Sequence, residues 1–173
     1  MPRVATAART AAPARRGRSS DVVAAIDDLL FDPGGWFAID RHNRRVPRVV
    51  IPTRQAGLDL VGRGQVATIV GRLRPEAAAI DIDLDDWRAV RAVDEITAWC
   101  DQHGLCRLIR PSGAAGHWHI LIVHGRLLGG LQGFVHDLRG RLAASAKQID
   151  LRRTLRPLTA PHRFGNTPPP TFA

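Results

Sequence analysis

Ala79-Ile80-Asp81-Ile82-Asp83-Leu84-Asp85-Asp86 alternates apolar and acidic residues with the two-residue period of an extended strand. Such a strand directs Asp81 and Asp83 to one face and Ile80, Ile82 and Leu84 to the other. Two carboxylates projecting together from one strand suggest a divalent cation. Downstream, Trp87 to His103 reads as an amphipathic helix, with Val90, Val93, Ile96 and Cys100 on one stripe and Gly104 at its C-terminal cap. Leu105 to Arg110 is a short apolar strand. Pro111 to Gly116 is a turn of small residues, and His117 to Val123 is the next strand. Leu131, Phe134, Val135, Leu138 and Leu142 mark a second helix, after which Lys147 to Leu151 alternates again and carries Asp150.

Elements in this order predict an α+β fold: a split β-α-β sheet of the ferredoxin or RNA-recognition-motif type, preceded by a small N-terminal α/β lobe. In such a sheet the first and third strands lie side by side in the centre. Asp81 and Asp83 are therefore expected beside the His117/His119 strand, with Asp150 on the same face. Three acids meeting there would repel one another, and a pair of Mg²⁺ or Mn²⁺ ions removes that penalty while organising a phosphate substrate.

The remaining segments carry most of the positive charge. The 173 residues have a net charge of +9 and a pI near 11.4, which points to an anionic polymer as partner. Five arginines and no acid fall within residues 1–20, so about +4 remains for the folded part, and Lys147 is the only lysine. Residues 1–19 read as a disordered basic arm. Their Ala and Arg content superficially suits a transit peptide, but the apolar core of a secretory signal is missing. A lobe over 20–75 follows, with a helix from Asp21 to about Phe31 capped by Ser19 or Ser20 and stopped at Asp32-Pro33-Gly34-Gly35. Strands at Trp36–Asp40 and Val46–Ile51 flank a basic turn; a helix at Thr53–Val61 and a strand at Gln65–Val70 complete the lobe, which delivers arginines toward the main sheet. The core unit covers 76–152, a basic segment 153–166, and a Pro-rich loose tail 167–173. Cys100 and Cys106 form no metal-ligand pattern, and a free reduced pair suits a cytoplasmic protein. No apolar run approaches the ~20 residues that span a bilayer, so no membrane partner is expected.

Asp81-Ile-Asp83, Ser112-Gly-Ala-Ala-Gly-His-Trp-His119 and Ile149-Asp150-Leu resemble, in order and spacing, the three motifs of the archaeo-eukaryotic primase superfamily, the primase-polymerases. Arg156-Pro-Leu-Thr-Ala-Pro-His162 is similar to the Arg-x-Pro-Ser-x-His stretch of plasmid and phage members. Gly35-Trp36 and Arg45-Val-Pro47 are similar to their tryptophan and Lys-x-Pro elements, with arginine in place of lysine. The resemblance spans about residues 20–166. It implies a DNA primase or polymerase that transfers nucleotides on a single-stranded DNA template or primer-template with Mg²⁺ or Mn²⁺, in plasmid or phage replication, beside a helicase or an accessory primase domain. By this resemblance Asp81, Asp83 and Asp150 are catalytic metal ligands. Ser112, Gly113, Gly116, His119, Arg156, His162 and Arg45 contact the incoming nucleoside triphosphate, and Arg44, Arg152, Arg153 and Arg163 contact nucleic acid.

Plainer readings stand beside these. Asp81 and Asp83 could line a solvated edge strand, His119 could be a hydrogen-bonded core histidine, and the glycines could serve any tight turn. His117 is read as structural, and Trp87, Trp99 and Trp118 as packing residues. Two rival functions are weaker. A His-x-His nuclease of the rolling-circle type needs a tyrosine nucleophile, and the chain contains no tyrosine. A non-catalytic single-strand-binding module would stack bases on exposed sheet aromatics, where this sheet carries aspartates. No Gly-Lys-Ser/Thr phosphate loop and no Gly-x-Gly-x-x-Gly turn is present.

Overall fold

Ile80, Ile82, Ile120 and Ile122 are all fully buried and alternate with residues of the opposite face, which places the third strand of the chain at the centre of a sheet with one fully covered face. The computed structural model describes residues 16–113 and 116–163. Its elements are α1 (Arg16–Leu30), β1 (Phe31–Ile39), α2 (Arg54–Gly62), β2 (Thr68–Leu73), β3 (Ala77–Ile82), α3 (Trp87–Gln102), β4 (Arg107–Pro111), β5 (Trp118–Val123), α4 (Leu128–Arg141), β6 (Ile149–Arg152) and β7 (Thr154–Leu155). The protein is an α+β molecule whose described residues form four helices and two antiparallel sheets, ordered β1-β2-β7 and β4-β5-β3-β6. In the larger sheet β3 lies between β5 and β6, the order expected when two crossover helices return to the same face.

That face is packed by α3 and α4. Ile80, Ile82, Ile120, Ile122 and Ile149 meet Ala89, Ala92, Ile96 and Cys100 of α3 and Leu131, Val135 and Leu138 of α4. Each large aliphatic side chain buried this way contributes about 1.5–3 kcal/mol. The helix α3 is turned from its predicted stripe: Val90 is exposed, and the small Ala89 and Ala92 face the sheet instead. Alanine lets the helix axis approach closely, and a stripe read from large side chains misses it. Trp87, expected to pack, is 65% exposed at the first turn of α3.

The other face of the sheet meets the N-terminal lobe over only part of its area. Ala77, Ala79, Leu108 and Leu121 join Leu30, Phe31, Trp36, Ile69, Leu155 and Leu158 in a second core. Toward Asp81 this cover ends, and the face opens. Helix α1 begins at Arg16, inside the stretch expected to be a disordered arm; the rest of that arm, 1–15, and the tail 167–173 lie outside the described residues. No strand forms at Val46–Ile51. A single bridge joins Ile39 to Arg45, after which Pro47 has no N–H to donate and Arg48 sits at φ 64°. Strand β1 pairs with β2 instead, which starts at Thr68, later than expected, and runs on to Leu73.

In that pairing Trp36 lies opposite Gly71, and a methyl group on Gly71 would stand 2.4 Å from the Trp36 ring and 2.5 Å from Phe31. Both aromatics belong to the second core, so neither can yield cheaply. Gly71→Ala is expected to cost about 2–3 kcal/mol in urea unfolding; a loss below about 0.5 kcal/mol would show that the aromatics repack freely.

Candidate functional site

Residues directly opposite in antiparallel strands share a face. The register of the large sheet pairs Arg110 with His119, His119 with Asp81, and Asp81 with Asp150. A row of Arg110, His119, Asp81 and Asp150 thus crosses all four strands, on the face the N-terminal lobe leaves open. Beyond this row, past the end of β3, lies Asp83. Its backbone N–H still donates to Gln148 O at 2.7 Å, and its carboxylate meets His117 Nδ1 at 2.9 Å. The opening is a cleft of about 470 Å³ whose walls include Asp81, Asp83, Ser112, His119, Arg152 and Arg156, with Asn43, Thr68, His162 and Arg163 on the side of the lobe.

Asp81 is 7% exposed. Burial by itself raises its pKa, but its neighbours outweigh burial and hold the carboxyl below the ordinary 3.8. His119, desolvated and facing Arg110, is pushed down to about 4. It is therefore neutral at physiological pH, and the Arg152 guanidinium, 2.8 Å from Asp81 Oδ2, is the charge that keeps Asp81 ionised there. His119 Nε2 lies 3.2 Å from Asp81 Oδ1 without hydrogen-bond alignment, so Oδ1 is a buried oxygen with no donor among the described residues. Arg152 also meets Asp150 at 3.2 Å, and Arg139 approaches the other Asp150 oxygen at 4.0 Å.

Asp83 is raised by burial and by the nearby Asp81 charge. A carboxyl whose folded pKa lies above its unfolded value contributes stability below the ordinary range and loses it as pH rises through the raised value. Ionised Asp83 is thus a small net cost at neutral pH, moderated by its 40% side-chain exposure. Asp83→Asn is expected to raise the melting temperature slightly at pH 7, with the difference closing at pH 3. A lower melting temperature at pH 7 would mean that the pair with His117 dominates. His117 itself is held between two acids, its Nε2 lying 2.9 Å from Asp85.

Arg110 is the residue the sequence reading missed. It is 2% exposed and has no carboxylate partner among the described residues. Its Nε donates to His119 Nδ1 at 3.3 Å, and its two terminal nitrogens donate to the carbonyls of Pro157 and Arg156. Donation to Nδ1 leaves the imidazole proton on Nε2, the atom facing Asp81. Burial and the neighbouring Arg156 charge lower Arg110 to about 9, and burial lowers Arg156 to about 10. Arg156 donates to Ala160 O at 2.6 Å and Ser112 O at 3.2 Å. Two desolvated cations beside an open cleft favour an anion in it. The signal for Arg110 was a second arginine, two residues after the apolar Leu108, in a short strand that reaches His119 nine residues later across a short turn.

The turn from Ser112 to His117 closes with Ser112 N donating to His117 O at 2.9 Å. Gly113 has φ 115°, and a methyl group there would lie 2.7 Å from the His162 ring, so glycine lets the C-terminal segment settle on the turn. Gly116 also has positive φ, at 76°. Ala114 and Ala115 lie outside the described residues.

The structure thus gathers Asp81, Asp83, Ser112, His119, Arg152, Arg156, His162 and Arg163 around one cleft, with Asp150 beside Asp81 and Gly113 and Gly116 in the adjoining turn. Three other predicted residues are placed elsewhere. Arg45 lies over the Phe37 ring at 4.1 Å, Arg44 pairs with Asp40 at 3.1 Å, and Arg153 donates to the carbonyls of Arg74 and Pro75. Among the described residues no three His, Cys, Asp or Glu side chains are already arranged as a metal cage. The chemistry of the set nevertheless suits Mg²⁺ or Mn²⁺, since Asp81 shares the cleft with Asp83 and lies opposite Asp150, and its Oδ1 is a buried hard oxygen with no aligned donor among the described residues. No family model, no curated protein and no solved structure matches the chain.

Proposed function

We propose that this chain is a primase-polymerase catalytic core, a nucleotidyltransferase that joins nucleotides on a single-stranded template. The observation that carries the reading is the convergence of Asp81 and Asp83 with Ser112, His119 and Arg156 on one open cleft, with Asp150 opposite Asp81 in the sheet, although they are scattered over 76 residues of sequence. The split β-α-β strand order and the motif resemblance support it further.

In this reading the primer 3′-hydroxyl attacks the α-phosphorus of the incoming nucleoside triphosphate, and pyrophosphate leaves. Asp81, Asp83 and Asp150 would hold two Mg²⁺ or Mn²⁺ ions, which when bound assist deprotonation of the hydroxyl and neutralise charge on the phosphates. Ser112, His119 and Arg156 line the cleft in which the triphosphate would lie. Burial, with Arg110 beside it, keeps His119 neutral, and donation from Arg110 to Nδ1 leaves its proton on Nε2. Arg152 presents a cation that can pass from Asp81 and Asp150 to a substrate phosphate.

Those same Arg152 ion pairs favour one other reading, a metal-free single-strand-binding module in which the acids are neutralised internally. Labelled nucleotides, Mn²⁺ and single-stranded DNA, with and without an annealed primer, separate the two. Incorporation that disappears in Asp81→Asn supports the transferase, and products without primer make it a primase. Single-strand binding without incorporation under any condition supports the binding module.

A further inference from the structure

A second and larger groove adjoins the acid-lined cleft. Its volume is about 690 Å³, and Val46, Val61, Val66, Ala67 and Pro161 give it an apolar floor. His162 and Arg163 line both depressions, and the turn after β1 borders both, with Arg41 on the larger groove and Asn43 on the acid cleft. The two therefore read as one trough that runs from the lobe to Asp81.

Charge around the larger groove is one-sided. Arg41 lines it and is exposed; Arg45, Arg48 and Arg63 are exposed on neighbouring positions of the lobe, and none of the four has a carboxylate partner among the described residues. The single acid in the lining, Asp40, is already neutralised. Its carboxylate accepts from the backbone N–H of His42 at 2.8 Å and of Arg44 at 2.9 Å, and from Arg44 Nε at 3.1 Å. An apolar floor under a cationic rim fits a polyanion that exposes flat apolar faces, which describes unpaired nucleobases on a phosphodiester backbone. A duplex hides those faces and offers the floor nothing.

We propose that this groove seats single-stranded nucleic acid, bases against the Val46–Val61–Val66 floor and phosphates along Arg41 and Arg163, and leads the strand into the acid cleft. The assignment deepens the transferase reading and rests on it for direction, but the binding it describes requires neither metal nor chemistry.

The test measures binding of fluorescein-labelled oligo(dT) and oligo(U) to the full chain by anisotropy, in EDTA, over a series of salt concentrations. Arg41→Glu and Arg163→Glu are each expected to weaken binding about tenfold at low salt and to reduce the salt slope by about 0.7 per lost phosphate contact. Arg91→Glu makes the same charge change on α3, which packs on the opposite face of the sheet, and should leave affinity unchanged. The ratio of oligo(dT) to oligo(U) affinity identifies the strand as DNA or RNA. Photocrosslinking of an oligonucleotide bearing 5-iododeoxyuridine should label peptides containing residues 61–67 or 161–163. Equal weakening by Arg91→Glu, crosslinks confined to other peptides, or no binding by the unaltered chain would overturn the proposal. Strand binding through this groove in a chain that incorporates no nucleotide would uphold the groove and defeat the transferase reading. Incorporation with groove variants that bind like the unaltered chain would do the reverse.

Discussion

Asp81→Asn is expected to reduce nucleotide incorporation by about a thousandfold while leaving the fold and single-strand binding in place. The size follows from the chemistry assigned to the position: a bound metal ion stabilises transition-state charge by several kcal/mol, and each 1.36 kcal/mol is a factor of ten in rate. An amide of the same shape keeps the Asp81 site filled but removes the charge that Arg152 meets at 2.8 Å and that would hold the metal. Unfolding should change little, because the substitution also relieves the repulsion that raises Asp83. Incorporation within tenfold of the unaltered chain, with metal present and fold intact, would remove Asp81 from the catalytic set and with it the metal site assigned to Asp81, Asp83 and Asp150.

The largest effect on stability is expected at a residue far from the cleft in sequence. Asp27→Ala should cost about 3–5 kcal/mol at pH 7, a large share of the roughly 5–15 kcal/mol that holds a domain of this kind together. Asp27 is fully buried in α1 and accepts three hydrogen bonds from the segment after β7: Leu158 N at 2.7 Å, Thr159 N at 2.9 Å and Thr159 Oγ1 at 2.6 Å. Arg54 Nη1 stands 3.5 Å away. Burial raises the Asp27 carboxyl, but all three hydrogen-bonding partners are donors, so the acceptor-only ionised form fits the site. Alanine would strand those donors, each at about 1–3 kcal/mol when buried, with the hydroxyl the most able to find another partner. Asp27→Asn keeps one acceptor but turns an NH₂ toward the remaining donors, and about half the loss is expected. Urea unfolding of the three proteins measures this; a loss below about 1 kcal/mol for the alanine variant would mean that the segment is held elsewhere. The same segment carries Arg156 and His162 to the cleft, so in the alanine variant nucleotide affinity should weaken even below the unfolding transition.

Much of the placement of the candidate site was legible because sheets translate sequence period directly into faces. The alternation through Asp81 and Asp83, the Ser-Gly turn before His119 and the isolated acid at 150 each declared a strand position, and the helix order determined which strands adjoin. The N-terminal lobe was harder to read for local reasons. Val46–Ile51 has the β-branched residues of a strand, but Pro47 and the left-handed Arg48 prevent it from pairing, and β2 takes its place beside β1. Val90 suggested a buried stripe on α3 that Ala89 and Ala92 occupy, since alanine gives little hydrophobic signal yet permits the closest approach.

The sequence by itself determined the α+β class, the central strand with its acids and the approximate limits of the two crossover helices, because these depend on periodicity within short windows. Only the tertiary structure decided what surrounds the acids. Arg110 and Asp27 hold the cleft through bonds to backbone groups 46 and 131 residues away, and Arg152 reaches Asp81 across a strand pair. Such partnerships leave no local pattern, since a buried charge is matched by whatever donor or acceptor the folded chain brings to it, and that match exists only once the sheets have closed.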